Sequence, residues 1–250
     1  MFQLDRKTAY VTGGNGLIGR AICSALADAG ASVFSLDLVE QHGMDARVRQ
    51  SVFDAADMIN LEGRLETLEN MHGHADVWVN AAYPRTTEFG TNQQDDLDEA
   101  DWCKNVDLQM NAACLLSAKV ATRMGARGHG SIINLASIYG LRGPDLRVYD
   151  GLEMPLSPPV YSAIKGGLIN YGRYLAAWYG PKGVRVNTVC PGGIEDGQPE
   201  NFIAQYAERT PMRRMGNPND VAGPVVFLAS DAAAYVNGVA LPVDGGWTAV

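Results

Sequence analysis

A short apolar run, Lys7-Thr8-Ala9-Tyr10-Val11-Thr12, leads directly into Gly13-Gly14-Asn15-Gly16-Leu17-Ile18-Gly19, and Leu17, Ile18, Ala21, Ile22, Ala25 and Leu26 then recur at helical spacing. Strand, glycine turn and helix in that order permit few folds. The glycines let the chain turn tightly, and they let a pyrophosphate approach the backbone at the positive end of the helix. A second apolar run, Ala31-Ser32-Val33-Phe34-Ser35-Leu36, ends at Asp37, close to the distance of about 20 residues at which an acidic side chain meets the ribose in dinucleotide-binding units. A carboxylate there accepts hydrogen bonds from ribose hydroxyls and repels a 2′-phosphate. Neither Leu38-Val39-Glu40 nor the turn from Gly13 to Gly19 supplies a lysine or arginine, so the sequence favours NAD over NADP. An aspartate that merely caps a loop is the alternative.

The alternation continues to the end of the chain. Strands are expected at Val48 to Phe53 (followed by Asp54), Ala75 to Asn80, Gly130 to Leu135, Gly183 to Cys190 and Gly238 to Val243. Helices are expected over Asp57 to Glu69, from the acidic stretch Gln93 to Asp101 through Met124, over Tyr161 to Tyr179 and over Asn217 to Ser230. No linker or repeat interrupts the series. This pattern predicts one α/β domain over residues 1–250, a doubly wound parallel seven-stranded sheet with ligands at the carboxyl ends of its strands. Gly13 to Gly19, Asp37, Asn80 and Ser137 all fall at such ends.

One spacing carries chemistry. In Val160-Tyr161-Ser162-Ala163-Ile164-Lys165, the tyrosine and lysine lie one helical turn apart on the same face. An ammonium beside a phenol favours the phenolate, which suits Tyr161 to donate and accept a proton in carbonyl/alcohol interconversion. Ser137, upstream at a strand end, would hold the substrate oxygen.

Composition narrows the classes. A chain of 250 residues has room for a sizeable core. The net charge of −8 argues against nonspecific nucleic-acid binding. No stretch of about 18 apolar residues suggests a membrane span, and the N-terminus has no apolar signal core, so a cytoplasmic protein is expected. Cys23, Cys103, Cys114 and Cys190 are scattered, which reads as reduced thiols with no zinc cluster. His72-Gly73-His74 reads as a surface loop, and no metal site is expected.

Together, Thr12-Gly13 with the glycine turn, Val79-Asn80, Ser137, Tyr161-x-x-x-Lys165, Arg185-Val186-Asn187, Pro191-Gly192 and Val243-Asp244-Gly245-Gly246 resemble the classical short-chain dehydrogenase/reductase family over nearly the whole chain. The resemblance implies a single-domain Rossmann fold and a homodimer or homotetramer. It implies Tyr161 as acid/base, Ser137 as the substrate-orienting hydroxyl, and Lys165 as the residue that lowers the Tyr161 pKa and binds the nicotinamide ribose. Gly13, Asn15, Gly16, Leu17, Ile18 and Gly19 would hold the pyrophosphate, Asp54 and Ala55 the adenine, and Asn80, Ala81 and Ala82 its ribose. Pro191, Gly192, Gly193 and Ile194 would border the nicotinamide.

Four features depart from the family pattern. The glycine spacing is that of its extended branch, and the run after the fourth strand reads Asn80-Ala81-Ala82-Tyr83-Pro84-Arg85. Gln109 stands where the family has a catalytic asparagine, with Asn111 two residues on. The stretch from Ser137 to Tyr161 is long, with an insertion around 138–159. Ser137-Ile138-Tyr139-Gly140 and Gln198-Pro199-Glu200 resemble the oxidoreductases of flagellin modification and legionaminic-acid-type pathways.

Arg85, Arg142 and Arg147 lie in loops at the cofactor end of the sheet, where guanidinium groups would suit an anionic small molecule. The expected substrate is a polar alcohol or ketone, a sugar or a sugar phosphate or nucleotide. A 3-oxoacyl or simple cyclic ketone reductase, and a catalytically idle dinucleotide-binding module, stay open as alternatives.

Overall fold

The computed structural model describes residues 2–90 and 94–250. Strand β1 (Thr8–Thr12) is followed by α1 (Leu17–Asp28), β2 (Ser32–Asp37), β3 (Val48–Val52), α2 (Leu61–His72) and β4 (Val77–Asn80). Then come α3 (Glu99–Asn105), a π-helical segment (Val106–Asn111), α4 (Ala112–Arg127), β5 (Gly130–Leu135), α5 (Pro159–Tyr179), β6 (Val184–Pro191), α6 (Glu200–Arg209), α7 (Pro218–Ala229) and β7 (Ala240–Val243). The strands form one seven-stranded parallel sheet in the order β3-β2-β1-β4-β5-β6-β7. The order reverses between β1 and β4, and the crevice there is where such a sheet binds ligands.

Both faces of the sheet are covered, which is why its central strands read as apolar without clear alternation. Alternate side chains go to opposite layers. Ala9 and Val11 of β1 pack with Ile22 and Leu26 of α1 and with Val221, Val225 and Leu228 of α7. Tyr10 packs with Leu65 and Leu68 of α2 and with Leu116, Val120 and Met124 of α4. A buried polar junction ties the layers together beneath the crevice. Trp78 Nε1 donates to Asn80 Oδ1, and Asn80 Nδ2 donates to Ser117 Oγ and Asn134 Oδ1, each at 2.8 Å. On the far side, Arg185 donates to the carbonyls of Leu228 and Ser230, and Asn187 bridges Val236 and Val239. Helix α7 begins at a full capping box of Asn217 and Asp220.

The structure revises several sequence-based bounds. Helix α2 begins at Leu61, because the Asp57 carboxylate accepts from the Ile59 N–H and Asn60 adopts a left-handed conformation. Ile59 is therefore exposed, whereas Leu61, Leu65 and Leu68 are buried. His72 ends α2 and stacks on Phe34 at 4.4 Å between centroids, not in a surface loop. Gln93, where the acidic stretch was expected to start, lies outside the described residues. The helix beyond it is interrupted by the π segment. Helix α5 starts two residues earlier than expected, at Pro159, since a first-turn proline gives up no helical hydrogen bond. Helix α6 was not expected from the sequence, although Phe202 and Tyr206 repeat at helical spacing. It packs with Ile138 and Val148 of the insertion and with Met215 and Trp247 into a separate small core.

Candidate active site

Two adjoining cavities run along the carboxyl ends of the strands, and they share Ile18, Ala81, Ala82 and Tyr83. The first, of about 400 Å³, is lined by Gly13, Gly16, Leu17, Ile18, Gly19, Asp37, Asp54, Ala55, Ala81 and Ala82 among others. The second, of about 390 Å³, brings Ser137, Tyr161 and Lys165 together with Pro191, Gly192, Gly193 and Ile194.

The first cavity suits a dinucleotide for reasons that lie in its backbone. Gly13 has φ +67°, and a Cβ there would come within 2.6 Å of Ala82 Cα. A Cβ at Gly19 would run into the Gly13 carbonyl oxygen, so only glycine lets α1 start against the turn. No side chain caps that helix start, which leaves its N–H groups facing the cavity for an anion. Asp37 is positioned by accepting from the Asn15 N–H at 3.0 Å and from its own neighbour Leu38 at 2.9 Å. Among the described residues, no lysine or arginine lines this cavity.

Two of the expected cofactor residues hold the frame instead. The Asn15 side chain is buried, donates to the Val39 carbonyl and accepts from Ser35 Oγ. Asn80 spends its amide on the buried junction with Ser117 and Asn134. Both lie beneath the cavity, not in its lining.

In the second cavity the Tyr161 ring is held edge-on by Tyr83, Phe89 and Tyr139, with centroids at 5.8, 6.3 and 6.4 Å. The Ser137 hydroxyl stands close enough to the Tyr161 phenol to favour its ionised form, and Ser137 Oγ accepts from the Tyr139 N–H. Lys165 is buried, donates to the Leu135 carbonyl at 3.1 Å, and places Nζ 5.4 Å from the Tyr161 ring centroid. The electrostatics differ from the sequence-based expectation. Burial pushes the Tyr161 phenol above its ordinary value, and the Ser137 hydroxyl draws it back only in part. Burial likewise pushes the Lys165 ammonium down to about 8. Desolvation dominates both shifts, and neither group is among the causes of the other's.

Beneath Lys165 is a small cavity of about 20 Å³, lined also by Gln109, Asn80 and Asn134. Gln109 is buried in the π segment, and both polar atoms of its amide lack a protein partner. Asn111 turns away and donates to Asp107. Of the two, Gln109 is the one that faces the site.

The three arginines do not assemble into a clamp. Arg142 donates to the carbonyls of Trp247 and Val250 and ties the insertion to the chain end. Arg147 is paired with Asp145 at 2.7 Å and exposed. Arg85 lies over the Tyr83 ring at 5.7 Å. None of them lines the cavity that holds Tyr161. What the sequence reading missed is the opposite wall, formed by Tyr139, Tyr149, Gln198, Phe202, Tyr206 and Met215. The clustering of aromatic residues in the insertion was its only sequence signal. Among the described residues there is no group of side chains that could hold a metal ion, and no helix is long and apolar enough to cross a membrane.

Comparison with known proteins agrees with this geometry. The family described as Enoyl-(Acyl carrier protein) reductase matches residues 15–248. The 2-dehydro-3-deoxy-D-gluconate 5-dehydrogenase of Escherichia coli is 31% identical, over 99% of this chain and 98% of its own length. Post-translational flagellin modification protein A of Campylobacter coli is 28% identical, over 98% of this chain and 99% of its own. A short-chain dehydrogenase from Leptospira borgpetersenii, solved with bound NAD+, is 34% identical and superposes with a TM-score of 0.87, covering 98% of this chain and 94% of that one. The chain belongs to the classical short-chain dehydrogenase/reductase family of oxidoreductases.

Proposed function

We propose that the protein is an NAD-dependent dehydrogenase/reductase acting on a polar, sugar-derived alcohol or ketone. The observation that carries this reading is the continuity of one groove, which begins at Asp37 with no cation in its lining and ends at Ser137, Tyr161 and Lys165. Gly13, Gly16 and the start of α1 would hold the pyrophosphate, Asp37 the adenosine ribose, and Asp54 and Ala55 the adenine. Pro191 to Ile194 would border the nicotinamide, whose chemistry is to give or take a hydride.

The chain's own residues manage the proton. The Ser137 hydroxyl orients the carbonyl oxygen, which takes the Tyr161 proton as its carbon takes the hydride. The Lys165 ammonium stabilises the phenolate left behind. Gln109 serves the same end, its unpartnered amide holding a water in the cavity beneath Lys165, where there is room for one. The reverse sequence oxidises an alcohol.

The functional unit we propose is a cytoplasmic homodimer or homotetramer. Tyr174 and Trp178 of α5, together with Leu115 of α4, supply an exposed apolar strip for it. The test of the cofactor reading is initial-rate reduction of NAD and NADP by the wild type and by Asp37→Ala. The wild type should prefer NAD, and the variant should lose affinity for NAD and most of the discrimination. A wild type that prefers NADP would refute it.

A further inference from the structure

The wall facing Tyr161 is phenolic and uncharged. Tyr139 and Tyr149 both belong to it, close enough for their phenols to act on one another. Tyr206, stacked on Trp247 at 4.2 Å, accepts from the Gly193 N–H at 2.6 Å. A phenol has one proton to give and two lone pairs. With its oxygen so engaged, Tyr206 keeps its proton for a ligand, and Tyr149 presents its phenol to the same cavity. Both line the cavity of Tyr161, and Tyr149 is within electrostatic reach of both Tyr161 and Tyr206. Burial pushes the Tyr149 phenol upward and that of Tyr206 to about 12, so both remain protonated donors near neutral pH.

Among the described residues, the cavity has no cation besides Lys165 to answer an anion. Lys165 is its one charged lining residue, and that ammonium donates to the Leu135 carbonyl beneath Tyr161. Arg142, Arg147 and Arg85 are engaged outside the lining. Moving a carboxylate or phosphate from water into such a cavity costs far more than phenolic hydrogen bonds return. A neutral hydroxyl loses little on entry, and its carbon skeleton can pack on the rings of Phe202 and Tyr139.

We propose that the site takes an uncharged substrate with a second oxygen close to the reacting carbon, a small polyol or hydroxyketone, that Tyr149 and Tyr206 donate to this second oxygen, and that sugar acids and sugar phosphates are rejected. The proposal rests on the dehydrogenase reading given above and narrows its substrate. It also separates this chain from relatives that act on sugar acids.

The test measures NAD reduction by purified wild-type protein with matched alcohols. Sorbitol is compared with gluconate and sorbitol 6-phosphate, and cyclohexane-1,2-diol with cyclohexanol. Sorbitol should exceed both anionic partners in kcat/KM by about 100-fold, as expected for an unpaired charge taken out of water. Tyr149→Phe should raise KM for the diol about five- to tenfold, the effect of one lost hydrogen bond, and at least fivefold more than for cyclohexanol. Tyr206→Phe should do the same, but it also removes the acceptor of the Gly193 N–H, so Tyr149→Phe decides. Gluconate turned over as well as sorbitol, by an activity that vanishes in Tyr161→Phe, would overturn the proposal and leave the dehydrogenase reading intact. Equal effects of Tyr149→Phe on diol and cyclohexanol would also overturn it. Failure of every compound to reduce NAD would sink both.

Discussion

At the scale of single residues, the site is governed by burial. Tyr161 is packed edge-to-face against three aromatic rings with Ser137 close by, so the position of its ring is set before any ligand arrives. Tyr161→Phe keeps the ring packing and removes only the proton. Turnover should fall by about 10²–10⁴-fold while NAD still quenches the protein's fluorescence with unchanged affinity. Near-normal turnover would remove Tyr161 from the acid/base role. Lys165 illustrates the cost of such a site. With its folded value pushed down to about 8, the folded protein binds fewer protons than the unfolded chain between there and the ordinary lysine value of 10.5. The Lys165 contribution to stability therefore rises with pH through that window, and below it the buried charge carries its full penalty. Lys165→Met should be inactive yet more stable than wild type at pH 7, by about 1–3 kcal/mol. Denaturant melts should show that advantage shrinking from pH 8 towards 10.5. An advantage that is constant with pH would mean Lys165 is not desolvated as the structure has it.

At the scale of elements, the glycine turn and α1 act as one piece. The helix can present its first N–H groups to the cavity only because Gly19 lets it sit against the Gly13 carbonyl. Gly19→Ala forces the two apart. Overpacking of this kind costs about 1–3 kcal/mol, and titration should show NAD affinity reduced at least tenfold, with Tyr161 chemistry affected only through the cofactor. Unchanged affinity would show that the contact yields freely. The insertion after β5 is a second piece. It folds as a wall on α6 through Ile138, Val148, Phe202 and Tyr206, and Arg142 anchors it to the chain end. Its arginines support this wall, whereas the sequence suggested that they receive the substrate.

At the scale of the whole molecule, the exposed strip on α4 and α5 is the surface on which the proposed oligomer rests. Tyr174 and Trp178 are 59% and 58% exposed, which is costly for adjacent large rings on a lone subunit. If the proposed oligomer forms through this strip, Trp178→Glu should sediment as a smaller species than wild type, with the fold retained by circular dichroism; an unchanged mass would place any interface elsewhere. The sheet and its ligand edge were legible in the sequence because they rest on local signals. Apolar runs mark strands, glycines mark the turn, and Asp37, Asn80 and Ser137 mark the strand ends. The Tyr161–Lys165 pairing was legible for the same reason, being set by one turn of helix. The tertiary structure decided what depends on distant contacts. It gave Asn15 and Asn80 to the frame, turned Gln109 and not Asn111 inward, and let burial outweigh charge at Tyr161 and Lys165. It also sent the arginines outward and brought Tyr149 and Tyr206 to the wall. A side chain's sequence neighbours fix the element it joins, but the desolvation and partners it meets there are fixed by segments far away in the chain.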